Sequence, residues 1–232
     1  MSLPSTIAID GPAGSGKSSV SFAVAQRLGY LFIDTGAFYR AITLLALDND
    51  TDPTNSARVI ELIRATHFDM TPELGNDGRQ FTFLANGIDI TPRLHHPEVD
   101  KYVSIIAASG DIRAVILNTQ RNLAKRGKVI MAGRDIGSVV LPDADLKIYI
   151  DASLEKRAER RYKQRLAENE PADLDSIRDG LANRDQIDST REVAPLRKPD
   201  DAITLDTTDL TLEEAIDAAY NIILTWLDNT SG

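Results

Sequence analysis

The sequence predicts an α/β fold: five parallel strands in one sheet with helices on both faces, carrying a small antiparallel β insert and an arginine-rich segment. Three observations carry that prediction. Short apolar runs alternate with stretches whose apolar residues recur at helical spacing, the mark of strand-helix-strand units. A glycine-rich turn, Gly11-Pro12-Ala13-Gly14-Ser15-Gly16-Lys17-Ser18-Ser19, follows the first run and opens the first helix. Asn86-Gly87 stands between two strand-like runs at the point where the alternation breaks down, and such a pair is the strongest short-range hairpin signal.

Taken in order, the first buried strand is Thr6 to Asp10, and Ser18 to Leu28 forms a helix with Val20, Val24 and Leu28 on its apolar face. Further strands are expected at Leu31 to Asp34, Lys128 to Ala132, Leu146 to Asp151 and Ala202 to Asp206, each a nearly continuous apolar run of the kind a sheet covered on both faces requires. Helical spacing recurs over Ile112 to Lys125, through Val115, Ile116 and Leu123, and over Leu212 to Leu227. Thr211 with Glu214 three residues later is a capping box for that last helix, on which Tyr220 and Trp226 read as packing residues.

Two stretches depart from the alternation. From 66 to 107 the pattern is that of an insert: His67 to Thr71, Gln80 to Ala85 and Ile88 to Thr91 read as strands, joined by Gly75-Asn76-Asp77-Gly78 and by Asn86-Gly87, and shape a second binding pocket. From 153 to 191 the chain is polar, interrupted by Pro171, and crowded with Arg157, Arg160, Arg161, Arg165, Arg178, Arg184 and Arg191, as a mobile charged lid would be. The whole is read as one domain over 1–232, its core formed by 1–65, 108–152 and 192–232.

Composition narrows the function. With 42% hydrophobic residues in 232, the chain has enough apolar surface for a sizeable core. It carries no cysteine, which excludes disulfides, thiolate metal sites and thiol nucleophiles. No stretch resembles an export signal or a membrane span, so a soluble cytoplasmic protein is expected. A net charge of −9 argues against a nucleic-acid surface, which draws its affinity from Lys/Arg contacts with phosphates. An anionic ligand must therefore meet positive charge concentrated in one place.

The glycine turn supplies such a place. Glycines there let successive backbone N–H groups turn inward around phosphate oxygens, Lys17 reaches the β- and γ-phosphates, and the Ser18 hydroxyl serves Mg²⁺. The loop from Gly11 to Ser19 is thus the expected ATP-binding element. Phosphoryl transfer further needs migrating charge stabilised, a task for clustered arginines rather than a covalent nucleophile. Arginines lie near the ends of several predicted strands: Arg40 shortly after Asp34, and Arg134 beside Asp135 after the third run, with Arg184, Asp188 and Arg191 closing the polar stretch.

Four segments in combination, Asp34-Thr35-Gly36-Ala37-Phe38-Tyr39-Arg40, Ala132-Gly133-Arg134-Asp135-Ile136-Gly137-Ser138-Val139-Val140, Asp151-Ala152-Ser153-Leu154-Glu155-Lys156-Arg157-Ala158 and Arg191-Glu192-Val193-Ala194-Pro195-Leu196, resemble the bacterial cytidylate kinases over nearly the whole chain. The resemblance implies a fold of P-loop kinase type, with the insert binding the nucleoside monophosphate. It implies in-line transfer of the γ-phosphoryl of ATP to CMP or dCMP with Mg²⁺ and no phosphoenzyme, in a cytoplasmic monomer that needs neither nucleic acid nor membrane. By matching position, Arg40 and Arg134 hold the CMP phosphate, Ser104, Arg113, Asp135 and Arg191 surround the cytosine, and Arg184 and Asp188 meet the sugar. Lys17, Arg134, Arg157, Arg161 and Arg184 form the catalytic set, and Thr35 joins the substrate site where relatives often carry serine. Ala132 stands where an acidic residue is common in that family, which leaves Asp10 as the candidate for the outer shell of the metal. His95-His96 lacks the helical spacing of a metal site.

Two other readings stay open: a P-loop kinase for another small acceptor such as shikimate, and a nucleotide switch or nucleic-acid-binding NTPase. Kinases of the former kind usually lack the hairpin insert. The latter needs guanine-reading motifs or a basic face, neither of which this chain displays.

Overall fold

A computed structural model describes residues 3–71, 80–167 and 169–229. At its centre lies β1 (Thr6–Asp10), in which Ile7, Ala8 and Ile9 are wholly buried because layers of helix cover both faces of the sheet. Four strands join it in parallel: β2 (Leu31–Asp34), β6 (Val129–Gly133), β7 (Leu146–Asp151) and β8 (Ile203–Asp206), in the spatial order β2-β6-β1-β7-β8. The chain leaves β1, passes over the place later filled by β6 to lay down β2, and afterwards returns to both sides of β1. Such a reversal of strand order opens a crevice beyond the carboxyl ends of the central strands. Asp10 pairs there with Gly133 and Tyr149, Asp34 with Ala132, and Asp151 with Asp206, so the residues following these strands share one edge.

The first helix, α1 (Lys17–Leu28), begins at the glycine turn, and α2 (Thr35–Asp48) begins directly from β2, where Asp34 caps it by accepting from the Gly36 N–H at 2.8 Å. After α3 (Ser56–Ala65) the chain forms a separate antiparallel sheet of β3 (Phe68–Thr71), β4 (Thr82–Ala85) and β5 (Ile88–Asp89). Asn86 and Gly87 have φ of 51° and 78°, the two left-handed residues of the tight hairpin expected there. The third run is shorter than its sequence implies. Asp89 Oδ1 accepts from the Thr91 N–H at 2.9 Å and turns the chain into a 3₁₀ turn at Thr91–Arg93, with Pro92 unable to extend the ladder. The Gly75 to Gly78 turn lies outside the described residues.

Two helices follow, α4 (Pro97–Ala108) and α5 (Gly110–Ala124), before the chain returns to the sheet. Lys128 does not join β6 as expected, since its φ of 50° excludes it from a strand, and the ladder runs instead from Val129 through Gly133. Beyond β6 a π-helical turn, Ile136–Val140, packs against the core. The arginine-rich stretch is a helical pair, α6 (Leu154–Ala167) and α7 (Leu174–Thr190), with Asp173 capping the second. The closing helix α8 (Leu212–Asn229) is fastened by the expected capping box, in which Thr211 N–H donates to Glu214 at 2.8 Å and Glu214 N–H to Thr211 Oγ1 at 3.2 Å. Tyr220 and Trp226 pack against the core, as expected, and Arg27 lies over the Tyr220 ring.

The antiparallel sheet is joined to the main core by an aromatic contact. Phe83 on β4 is fully buried edge-on against Phe38 of α2, with ring centroids 5.0 Å apart. Truncating that ring removes a large buried area and leaves a void. Phe83→Ala should therefore lower the unfolding free energy by about 3–5 kcal/mol in urea titration; a loss below about 1 kcal/mol, within the range of surface substitutions and the mildest core changes, would mean that the insert does not share the core.

Candidate active site

The glycine turn between β1 and α1 is built by close approach: a Cβ on Gly11 would stand 2.0 Å from the Ile150 carbonyl oxygen, so only glycine lets the loop leave β1 beside β7. Lys17, the first residue of α1, is buried and donates from Nζ to the Pro12 carbonyl at 3.0 Å, closing on its own loop. Burial, with Arg134 nearby, lowers its pKa well below the usual range. The Ser15 hydroxyl is buried with no hydrogen-bond partner among the described residues. Ser18 Oγ donates to Asp34 Oδ2 at 2.8 Å. A lysine held by one carbonyl and an orphaned buried hydroxyl are what a polyanion would satisfy.

Helices α6 and α7 both reach this loop. Arg157 of α6 is 6% exposed and donates to the Ala13 and Ala152 carbonyls and to Asp185 of α7. Asp185 in turn accepts from the Ala13 N–H at 3.3 Å. Arg157 is thus turned to loop backbone. An opening of about 400 Å³ beside it is lined by Pro12, Asp151, Arg157, Asp185 and Ser189.

On the other side of the crevice runs a buried lattice of alternating charge. Arg113 on α5 pairs with Asp135, and its guanidinium lies over the Tyr39 ring at 5.2 Å. Arg191 stands 3.6 Å from both Asp135 and Asp188, and Asp188 accepts from Arg134 Nε at 2.9 Å. Asp188 is therefore partnered by Arg134 and Arg191, rather than by the Arg184 one helical turn before it, because the residues after β6 swing Arg134 across the end of α7. Arg184 is left with a buried Nε that has no partner among the described residues. Burial, then the like charges of Arg134 and Arg40, bring its pKa down to about 10. A cavity of about 170 Å³ is bounded by Tyr39, Arg113 and Asp135 on one side and by Val139, Val193 and Ala194 on another.

The remaining candidates lie around these two clusters. Arg40 donates to the Leu94 carbonyl at 3.0 Å and pairs with Asp100 of α4 at 2.8 Å, and Arg161 of α6 stands 3.9 Å from the same carboxylate. Thr35 Oγ1 donates to the Ala132 carbonyl at 3.0 Å, while Ser104 is half-buried on α4. Asp10 directs both carboxylate oxygens at backbone, accepting from Ile136 N–H at 2.7 Å and Gly137 N–H at 2.8 Å. His96 caps α4 by accepting from the Glu98 N–H. Among the described residues no group of three or more His, Cys, Asp or Glu could hold a metal ion. Asp34, Asp100 and Asp185 were not singled out in the sequence; only Asp34 had a local signal, as the acidic end of a strand neighbouring the glycine turn.

The description of the cytidylate kinase family matches residues 7–225. This chain belongs to the cytidylate kinase family. It is 45% identical over 217 residues to a cytidylate kinase of Geobacillus sp. (strain WCH70), covering 94% of this chain and 95% of that one. To a cytidylate kinase of Bacillus cereus (strain G9842) it is 43% identical over 218 residues, with the same coverage. A solved shikimate kinase from Acinetobacter baumannii in complex with shikimate aligns over 100% of this chain and 97% of its own, with a TM-score of 0.47 and 18% identity. No helix among the described residues is long and apolar enough to cross a membrane. In this member of the cytidylate kinase family both charged clusters and helices α6 and α7 fall within the matched span.

Asp10 yields a pH signature. Burial, only partly offset by its two amide donors, raises its carboxyl to about 6 from an ordinary 3.8. The folded state then keeps this proton where the unfolded chain has lost it, so the contribution of Asp10 to stability falls as pH rises from about 4 to about 6. Asp10→Asn removes that term, and the gap between wild type and variant should be wider at pH 4 than at pH 7 by roughly 2 kcal/mol. Denaturant titrations at the two pH values measure it; a gap independent of pH would contradict the assignment.

Proposed function

We propose that this protein transfers the γ-phosphoryl group of ATP to CMP or dCMP, giving ADP and CDP or dCDP. The observation that carries the reading is the buried Arg113–Asp135–Arg191 arrangement beside a cavity of about 170 Å³, in a chain of the cytidylate kinase family. Cytosine offers its N4 amino group as a donor, and a carboxylate is its natural acceptor. Asp135 Oδ2 takes Arg113, while Oδ1 has Arg191 only at 3.6 Å and keeps lone pairs for such a donor. Uracil would set a carbonyl against the same oxygen, leaving both unpaired in a desolvated place.

In this reading the backbone amides from Gly11 to Ser19 cradle the ATP phosphates, Lys17 leaves the Pro12 carbonyl for the β- and γ-oxygens, and Arg40 and Arg134 take the acceptor phosphate. Ser104, Arg113 and Arg191 bound the base beside Asp135, with Thr35 at the rim. Asp188 lies in reach of a sugar hydroxyl, and Arg184 directs its orphaned Nε at the transferring group, where negative charge migrates. Arg157 and Arg161 carry the closing lid toward the donor and acceptor sides. Mg²⁺, when bound, neutralises β- and γ-phosphate charge and polarises the bond to be broken. The transferred group passes in line from ADP oxygen to CMP oxygen, so no protein nucleophile is needed. The insert and lid exclude water, which otherwise competes for the phosphoryl group. A cytoplasmic setting, where both nucleotides are free in solution, follows from the same reading.

A coupled ADP-release assay with CMP, dCMP, UMP, AMP and shikimate tests it. CMP and dCMP should stimulate ATP turnover well above the other acceptors, and equal rates with shikimate or AMP would end the proposal. Asp135→Ala should lower kcat/KM for CMP by about a hundredfold or more while KM for ATP changes by about threefold at most. Parallel losses for both nucleotides would give Asp135 a purely structural role.

A further inference from the structure

Asp135 answers one atom of the cytosine edge, the N4 amino donor. The same edge carries two acceptors, the ring N3 next to N4 and the O2 carbonyl beyond it, and in a desolvated place each needs a donor. Arg113 is largely spent: its Nη1 donates to the Ala107 carbonyl at 3.0 Å and its Nη2 pairs with Asp135. Around this cluster two buried donors have no hydrogen-bond partner among the described residues, Arg191 Nη2 and Gln120 Nε2. Arg191 Nη2 stands 3.6 Å from Asp135 Oδ1, the oxygen left for N4, and so falls beside N3. Gln120 remains for O2.

Gln120 follows Arg113 on α5 by seven residues, two helical turns, so both project from one face, and with Tyr39 and Asp135 they line the same cavity of about 170 Å³. Tyr39 bridges them. Its ring lies 5.2 Å from the Arg113 guanidinium, and its hydroxyl faces the Gln120 side chain without closing a hydrogen bond on Nε2. Glutamine is mostly a surface residue, yet Gln120 is only 1% exposed. A buried donor left open destabilises the free protein, and a native fold keeps one where something else completes it. We propose that Gln120 is a second base-reading residue, whose Nε2 donates to the O2 carbonyl of the pyrimidine. The inference rests on the CMP reading and extends it. Asp135 separates cytosine from uracil at N4, whereas both bases carry O2, so Gln120 recognises the pyrimidine ring without choosing between them.

Kinetics with CMP, UMP and 2-thio-CMP, in which sulfur, a poorer acceptor, replaces O2, test this in wild type and in Gln120→Met, which keeps an unbranched side chain and removes the donor. In the variant KM for CMP should rise about tenfold while KM for ATP changes by about twofold at most. Its kcat/KM should fall by the same factor for UMP as for CMP, so that the preference for cytosine is unchanged. Wild type should use 2-thio-CMP about tenfold less well than CMP, and the variant should use the two alike. An unchanged KM for CMP in the variant would leave the amide to solvent, and collapse of the CMP-to-UMP ratio would reduce Gln120 to a support for Asp135; either result overturns the proposal. If Gln120→Met failed to fold, wild type decides: equal use of CMP and 2-thio-CMP overturns the proposal, and a preference of about tenfold for CMP upholds it. Wild type that did not prefer CMP to UMP, AMP and shikimate would overturn the CMP reading as well.

Discussion

The crevice depends on one constraint: several guanidinium groups must be kept buried and close together without a ligand. Two carboxylates, Asp135 and Asp188, meet it by alternating with Arg113, Arg191 and Arg134 in a continuous lattice. Each ion taken out of water costs several kcal/mol, so such a lattice contributes little net stability even when complete. Its value is geometric. Every arginine in it has a direction before substrate arrives, and removing one carboxylate would leave two cations facing each other in a poorly solvated place.

The same lattice ties distant parts of the fold to one another. Arg113 comes from α5, Asp135 and Arg134 from the end of β6, and Asp188 and Arg191 from the end of α7. On the opposite wall Arg157 and Asp185 fasten α6 and α7 to the backbone of the glycine turn. Helices α6 and α7 therefore touch both the proposed donor side and the proposed acceptor side through single side chains. If these helices move with either nucleotide, as proposed, the movement is felt at the other, which is the coupling a phosphoryl transfer needs to wait for both partners.

What was legible in the sequence was whatever depends on local chemistry. β1, β2 and β7 begin and end where their apolar runs do, because a buried parallel strand is apolar throughout and each of these stops on an aspartate. The capping box at Thr211 and the Asn86-Gly87 hairpin are likewise local and were readable. Side-chain partnerships were not. Asp185 meets Ala13 across 172 positions and Asp188 meets Arg134 across 54, separations that leave no periodic trace. Asp188 and Arg184 share a helix face, so sequence spacing pairs them; only the three-dimensional course of the segment after β6 gives the carboxylate to Arg134 instead.

An acidic chain that binds two polyanions raises the question of where the attraction comes from, and the answer lies in the cations left over from the lattice. Arg184 Nε is buried with no hydrogen-bond partner among the described residues, and its pKa of about 10 follows from burial first and then from repulsion by Arg134 and Arg40. Lys17 is depressed by burial and by the same Arg134. Without ligand, this region holds like charges together against their mutual repulsion, which the fold sustains elsewhere through its hydrophobic core. A phosphate placed among them relieves the repulsion. Relief is greatest where negative charge is most concentrated and least hydrated, and in the proposed in-line transfer that place is the migrating phosphoryl group, set between Lys17 and Arg184. Stabilisation that grows from ground state to transition state accelerates the chemistry instead of merely tightening binding. The net charge of −9 then costs nothing at the reacting centre, because the field there is set by groups a few ångströms away in a desolvated crevice, while the acidic surface is screened by salt.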